Sequence, residues 1–415
     1  MSSIASALGQ WAYDLEPAAE DLVLADRSLL DTVAVMLAAR DHPVARLSAS
    51  LPEGARWAVA AHILDFDDLH VPSTTHISAV CVPTALATAS ADAATADAAS
   101  ADPHCGARAY LAAAGVMARL GAALGWPHYS AGWHATCTAG APAAAAGAAV
   151  AMGLKPDQVA TAIALAVPAA GGVQRAFGTD AKSLQVGFAV DAGIRAARLA
   201  AAGATADPSA LDAWLLLVGG DSSRLDLSGP AVPGGLAIKI YPCCYALQRP
   251  ISALATLAET GVNIADVRRI VLRTLAGTVA PLIHHRPNTG LEGKFSLEYA
   301  AAATLLDRYP GFASFTDDAV RRQDARRMVE LVETDLEPGG DWLLDGELQV
   351  TIHEGNGVVH RIQLQYPPGS PARPPSAEQL SAKLADCLAG LDTDPATWTW
   401  RNAADLLRRH LPVPR

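Results

Sequence analysis

Residues 139–152 read AGAPAAAAGAAVAM, and this run decides the fold class. Side chains this small let helix axes approach closely, so the run predicts a helix at a tight crossing with its neighbours. A polar cluster, Gly132-Trp133-His134-Ala135-Thr136, opens onto it. Apolar residues recur at helical period on both sides, as in Leu29, Leu30, Val33, Val35 and Leu37 of the stretch 28–40. The pattern continues over 106–124, 156–166 and 183–202. The first 260 or so residues therefore read as helix after helix. Residues 84–103 hold little but Ala, Thr, Ser and Asp and read as a helix followed by a loop.

The character changes near Ile264. Val267 to Leu275 is rich in Val, Ile, Leu and Thr and predicts a strand. Helices are predicted over 295–307 and 318–331, then a hairpin of 348–353 and 358–366 around Asn356-Gly357. A proline-rich linker, 367–375, precedes closing helices over 376–388 and 403–410, the first stopped by Gly390. The expected architecture is mainly α: a large all-helical domain from residues 1–262 plus 374–415, and a smaller α+β domain over 263–373.

Composition narrows the function. The 415 residues are 51% hydrophobic and 18% charged, with a net charge of −11. That balance fits a globular protein with a large core and speaks against a nucleic-acid binder, since no basic stripe stands out. No run of about 20 strongly apolar residues goes uninterrupted, and residues 1–13 show no secretory pattern, so a cytoplasmic setting without a membrane partner is expected. The six cysteines show neither a CxxC pair nor a regular spacing, so neither a zinc knuckle nor a disulfide framework is expected.

Leu64-Asp65-Phe66-Asp67-Asp68-Leu69-His70, followed by His76, puts three carboxylates and two imidazoles within a short apolar setting. Such groups are costly to desolvate, so their concentration points to a site. Two isolated lysines, Lys182 and Lys239, stand in similar surroundings and suit the anchoring of a small anion. Other readings stay open. His76 could cap a turn, His134 could pack in the core beside Trp133, and Asp67 and Asp68 could cap a helix or support a neighbour. Cys243 and Cys244 read as small packing residues. The acids with His70 and His76 also offer ligand types suited to Mg²⁺, Mn²⁺ or Fe²⁺, although no spacing is diagnostic.

Five motifs in order resemble the MmgE/PrpD family, which includes 2-methylcitrate dehydratase, cis-aconitate decarboxylase and iminodisuccinate epimerase. They are His62-Ile63-Leu64-Asp65-Phe66-Asp67-Asp68 with Thr75-His76, Gly132-Trp133-His134, Lys182-Ser183-Leu184-Gln185-Val186-Gly187, Lys239-Ile240-Tyr241-Pro242-Cys243-Cys244, and Lys294-Phe295-Ser296-Leu297-Glu298-Tyr299. The resemblance implies a helical domain with an α+β lid, a homodimer, and chemistry that needs neither metal nor organic cofactor. It implies a lyase acting on a small di- or tricarboxylate such as 2-methylcitrate or cis-aconitate, by dehydration or decarboxylation. An epimerase of an iminodisuccinate-like acid and an inactive relative kept as a binding protein are the alternatives.

The same resemblance implies roles for particular residues. His134 is the leading acid/base, His76 a second proton-handling or carboxylate-binding group, and Asp65 a hydrogen-bond acceptor that orients an imidazole or lysine. Lys182 and Lys239 anchor carboxylates, and Tyr299 donates a phenolic hydrogen bond. Leu69, where relatives often carry Thr, and Cys244, where the decarboxylase carries a further His, are departures expected to reshape substrate contacts; Gln248 also falls near a position where relatives often carry His.

Overall fold

The computed structural model describes residues 3–93 and 104–413. Packing divides it into two compact units, residues 1–236 with 387–415, and residues 237–386. The division falls earlier than the change of composition at 264 because the helix Gln248–Glu259 packs on the strands Leu348–Glu354 and Val359–Leu364, and so groups with the sheet.

The helices of the first unit are α1 (Ile4–Tyr13), α2 (Ala19–Ala38), α3 (Pro43–Leu47), α4 (Glu53–His62), α5 (Ile77–Ala93), α6 (Cys105–Ser130), α7 (Ala135–Ala151), α8 (Pro156–Ala166), α9 (Ala181–Ala201) and α10 (Ala210–Leu217). The reading of 84–103 as helix then loop holds as helix to Ala93; the rest lies outside the described residues.

The Ala-rich run up to Ala151 lies in α7, and all residues of that helix but Val150 are buried. It packs on α5, α6, α8 and α9. A helix covered on every side has no polar face, which is why the sequence shows no amphipathic stripe there. Close approach has named contacts. A Cβ added at Gly147 would stand 2.6 Å from Ala113 Cβ and 2.9 Å from the Ala109 carbonyl oxygen, both on α6.

Helix α6 is long and apolar enough to cross a membrane by composition, which the sequence reading did not allow; 89% of its apolar window is buried within the protein. It kinks at Gly125 (φ 67°, ψ −176°), close to where the predicted helix ends. Proline follows at 127, and the preceding turn cannot continue regularly into it.

The second unit holds α11 (Gln248–Glu259), β1 (Val267–Leu275), α12 (Gly290–Gly293), α13 (Leu297–Asp307), α14 (Asp317–Arg321), α15 (Gln323–Val329), β2 (Val332–Glu337), β3 (Leu348–Glu354), β4 (Val359–Leu364) and α16 (Ala377–Cys387). Helix α17 (Ala403–His410) returns to the first unit and packs on α2 and α5. The strand order is β2-β1-β3-β4, with β1–β2 parallel and the other pairs antiparallel. Val350 sits opposite Ile362, and His353–Val359 closes the hairpin around Asn356-Gly357 (Gly357 φ 91°).

Two expectations change here. The helix read over 318–331 breaks at Arg322 (φ −53°, ψ 139°) into α14 and α15. The sequence reading also has no counterpart of β2, whose residues 333–336 are exposed. Its acids pair across the sheet with β1, Arg269 with Glu333 and Arg273 with Glu337. Charged edge strands resist pairing with other chains, and the same charges hide the strand from a hydrophobic pattern.

Candidate active site

Helix α4 ends at His62, and the loop to α5 carries most of the acids. Asp65 takes the left-handed conformation (φ 55°), which turns the chain so that its carboxylate meets the Lys182 ammonium in the first turn of α9. Both side chains are buried. Asp67 Oδ2 accepts from His62 Nδ1 at 2.6 Å and lies 3.1 Å from His76 Nδ1. His76 Nδ1 also lies 2.7 Å from the Asp68 carbonyl oxygen. A carbonyl can only accept, so Nδ1 carries a proton and the basic nitrogen of neutral His76 is Nε2.

The His62 ring bridges the other two imidazoles. It stands edge-on to His76 with centroids 4.8 Å apart and stacks on His134 at 5.5 Å. Phe177 covers the far side, 5.0 Å from the His134 ring and 5.7 Å from Lys182 Nζ. His134 is the N-cap of α7, and its backbone N–H donates to the Gly172 carbonyl at 3.0 Å.

The first unit thus brings Asp65, His76, His134 and Lys182 together. Three helices begin here: α5 follows His76, α7 follows His134, and Lys182 is the second residue of α9. These helices pack on one another. Helix N-termini carry partial positive charge and unpaired N–H groups, so three starts in one place favour an anion.

Burial sets the protonation states. It holds His62 down at about 4, aided by the charges of Lys182 and His76 against the pull of Asp67. It holds His134 well below the usual imidazole range, with His62, Lys182 and His76 adding to the effect. Asp68 is pushed up to about 7 by burial, although Ser78 donates to it through both its backbone N–H and its hydroxyl. Asp68 therefore anchors the first turn of α5.

The remaining candidates have other surroundings. Leu69 is buried in the same loop and brings no polar group. His70 ties that loop down, 2.7 Å from Ser73 Oγ and donating to the Pro233 carbonyl at 2.6 Å. Lys239, Cys244 and Tyr299 belong to the second unit. Lys239 is buried, and the next two backbone N–H groups both donate to Gln248 Oε1, at 2.9 and 3.1 Å. Gln248 thereby fixes the segment that carries Lys239. Cys244 donates its backbone N–H to the Lys294 carbonyl at 3.1 Å, and buried Cys243 forms no disulfide. The Tyr299 hydroxyl donates to the Ser314 carbonyl, and burial raises its phenol.

Two residues belong to the site that sequence reasoning gave no role there, His62 and Gln185, whose amide reaches His134 Nδ1 at 2.6 Å; Asp67, read as a cap or a support for a neighbour, is the carboxylate shared by two imidazoles. Gln185 stands three residues after Lys182, on the same face of α9, and that spacing was the available signal. His62, Asp67 and His76 are also a group that could hold a metal ion, with ligand atoms within 4.8 Å of one another.

Two family models match the chain. Residues 49–214 match the MmgE/PrpD N-terminal domain and residues 241–399 the MmgE/PrpD C-terminal domain. The chain belongs to the MmgE/PrpD family. Among curated relatives it is similar to the cis-aconitate decarboxylase of Aspergillus terreus, 25% identical over 56% of this chain and 54% of that protein. The human and mouse proteins of that name are 27% and 26% identical, over 79% and 61% of this chain. The chain spans about half the length of the fungal and mouse relatives, 54% of each, and 70% of the human one. The matches cover the loop of Asp65 and His76, His134, Lys182, Cys244 and Tyr299, while Lys239 falls in the gap 215–240 between them.

Proposed function

We propose that this MmgE/PrpD protein is a lyase that acts on a small di- or tricarboxylate, by dehydration or decarboxylation, without a cofactor. The observation that carries the reading is the meeting of two imidazoles and a buried ammonium at three helix starts. In a chain of net charge −11, an acid substrate needs a local pocket that works against the overall field. Lys182 and the helix N-termini supply it.

The chemistry follows from the groups. Dehydration and decarboxylation share a carbanion-like centre beside a carboxylate. In dehydration the C–H bond breaks, its electron pair moves towards the carboxylate, and hydroxide departs with a proton. In decarboxylation the C–C bond breaks, carbon dioxide leaves, and the carbon takes a proton. Both need a group that moves one proton and donors that stabilise the charge gathering on carboxylate oxygens. His76 presents its imidazole Nε2 for the first task, and Lys182 with His134 serves the second. These roles rest on the first unit alone. Names of relatives favour cis-aconitate as the first acid to try.

The test is an NMR time course in heavy water with cis-aconitate, citrate, 2-methylcitrate, malate-type acids and iminodisuccinate. New alkene signals or loss of a carboxyl carbon are expected. Deuterium uptake without a new product would replace the lyase by an epimerase. Silence across the panel from folded protein would sink both.

A further inference from the structure

We propose that Gln185 is a positioning residue that locks His134 in the neutral tautomer with its proton on Nε2, making His134 a fixed hydrogen-bond donor and leaving proton transfer at carbon to His76. The proposal rests on the functional reading above and assigns opposite duties to its two imidazoles.

The argument begins with the orientation of the Gln185 amide. Its Oε1 accepts from the Val173 backbone N–H at 3.1 Å, and its Nε2 donates to the Val173 carbonyl at 3.3 Å. Turning the amide over would set oxygen against carbonyl and NH₂ against N–H, losing both bonds. The NH₂ group therefore faces His134 Nδ1, at 2.6 Å. An amide NH₂ only donates, so Nδ1 must offer its lone pair. Cys137 Sγ lies 3.3 Å from the same nitrogen, and burial keeps that thiol protonated, so it is a second donor. With Nδ1 engaged by two donors, the proton of the neutral ring sits on Nε2.

The frame around this contact is rigid. Trp133 and Val173 pair as an antiparallel bridge, with the Gln174 N–H donating to the Gly132 carbonyl at 2.8 Å. Gln185 thus ties the start of α9 to the segment that also holds the start of α7. His134 is packed between His62 and Phe177.

His76 has the reverse arrangement. Its Nδ1 donates to the Asp68 carbonyl, so its Nε2 is the basic atom. At Nε2 one ring gives and the other accepts. A neutral imidazole N–H cannot take a proton from carbon at that atom, but it can polarise a carboxylate oxygen where charge gathers.

The experiment uses full-length protein labelled with ¹⁵N-histidine. The ring nitrogens of His134 are assigned by their loss in His134→Gln. In the unliganded wild type we expect an unprotonated Nδ1 and a protonated Nε2. In Gln185→Glu the carboxylate accepts instead of donating, so the proton should move to Nδ1. Turnover of whichever acid the panel identifies should then fall by about 10²-fold in kcat, with KM little changed. A wild-type His134 protonated on Nδ1, or a Gln185→Glu protein with its tautomer unchanged, overturns the proposal. The tautomer is read without substrate, so a silent panel sinks the lyase reading and leaves this result standing.

Discussion

Asp65 is one of three non-glycine residues with positive φ among the described residues, and it also bears the carboxylate that faces Lys182. Asp and Asn tolerate the left-handed region better than other side chains, because their short polar groups bond locally. Asp65→Asn therefore keeps the backbone and removes the charge. Breaking one side of a buried ion pair costs about 3–5 kcal/mol, since an ammonium is left short of its counter-charge. Urea unfolding of Asp65→Asn should show a loss of that order, and the double variant Asp65→Asn/Lys182→Met should recover much of it without recovering turnover. A double variant as unstable as the single one would remove charge pairing as the reason for the loss. Asp65, His76, His134 and Lys182 stood out in the sequence because acids, imidazoles and ammonium groups are conspicuous among alanines. Gln185 did not, because an amide has no preferred role until its partners are known, and His62 was visible only as part of a motif.

The elements divide by how much of their pattern is local. Helix α8 and strand β1 fall on their predicted bounds, as does the hairpin turn, because period, proline and Asn-Gly act over a few residues. The break at Arg322 and the edge strand β2 depend on what packs beside them, and their own residues do not announce it. The α7–α9 crossing lies between these cases: small residues predict closeness, and the structure shows which ones meet. A Cβ added at Gly193 of α9 would stand 2.5 Å from Ala144 Cβ and 2.7 Å from both the Ala141 carbonyl oxygen and the Ala145 nitrogen. Two of those atoms are backbone and cannot swing away. Gly→Ala within a helix gains about 1 kcal/mol in propensity. Overpacking costs about 1–3 kcal/mol, and more against a fixed backbone. The clash wins, so Gly193→Ala should lower the thermal midpoint. An unchanged or raised midpoint would show that α7 and α9 can separate at little cost.

At the scale of the whole chain, net charge says little about stability, and the buried titrating groups say more. Burial lowers His62 and His70 to about 4, and lowers His128 and His134 as well. All four lie in the first unit. Between about pH 4 and 6.5 His62 and His70 are neutral when folded and bind protons when unfolded, and the lowered His128 and His134 act in the same direction. The unfolded state then holds more protons, so stability rises with pH and is lost as pH falls through that window. Asp68 acts in the opposite sense. Its folded carboxyl stays protonated up to about 7, so it contributes stability that is full below its unfolded value and fades as pH rises towards 7. Four imidazoles outweigh one carboxyl, and the net slope should be positive up to about pH 6.5. Each proton is worth about 1.4 kcal/mol per pH unit at most. Urea unfolding at about pH 5 and about pH 6.5 measures the slope. His70 allows the cause to be isolated, because its bonds to Ser73 and Pro233 place it outside the proposed chemistry. His70→Gln removes one titrating group along with its contacts. Lost contacts alone shift the stability curve in parallel, whereas a lost proton site flattens it. A His70→Gln curve parallel to the wild type would mean that His70 does not drive acid unfolding; a flatter one would assign it that share.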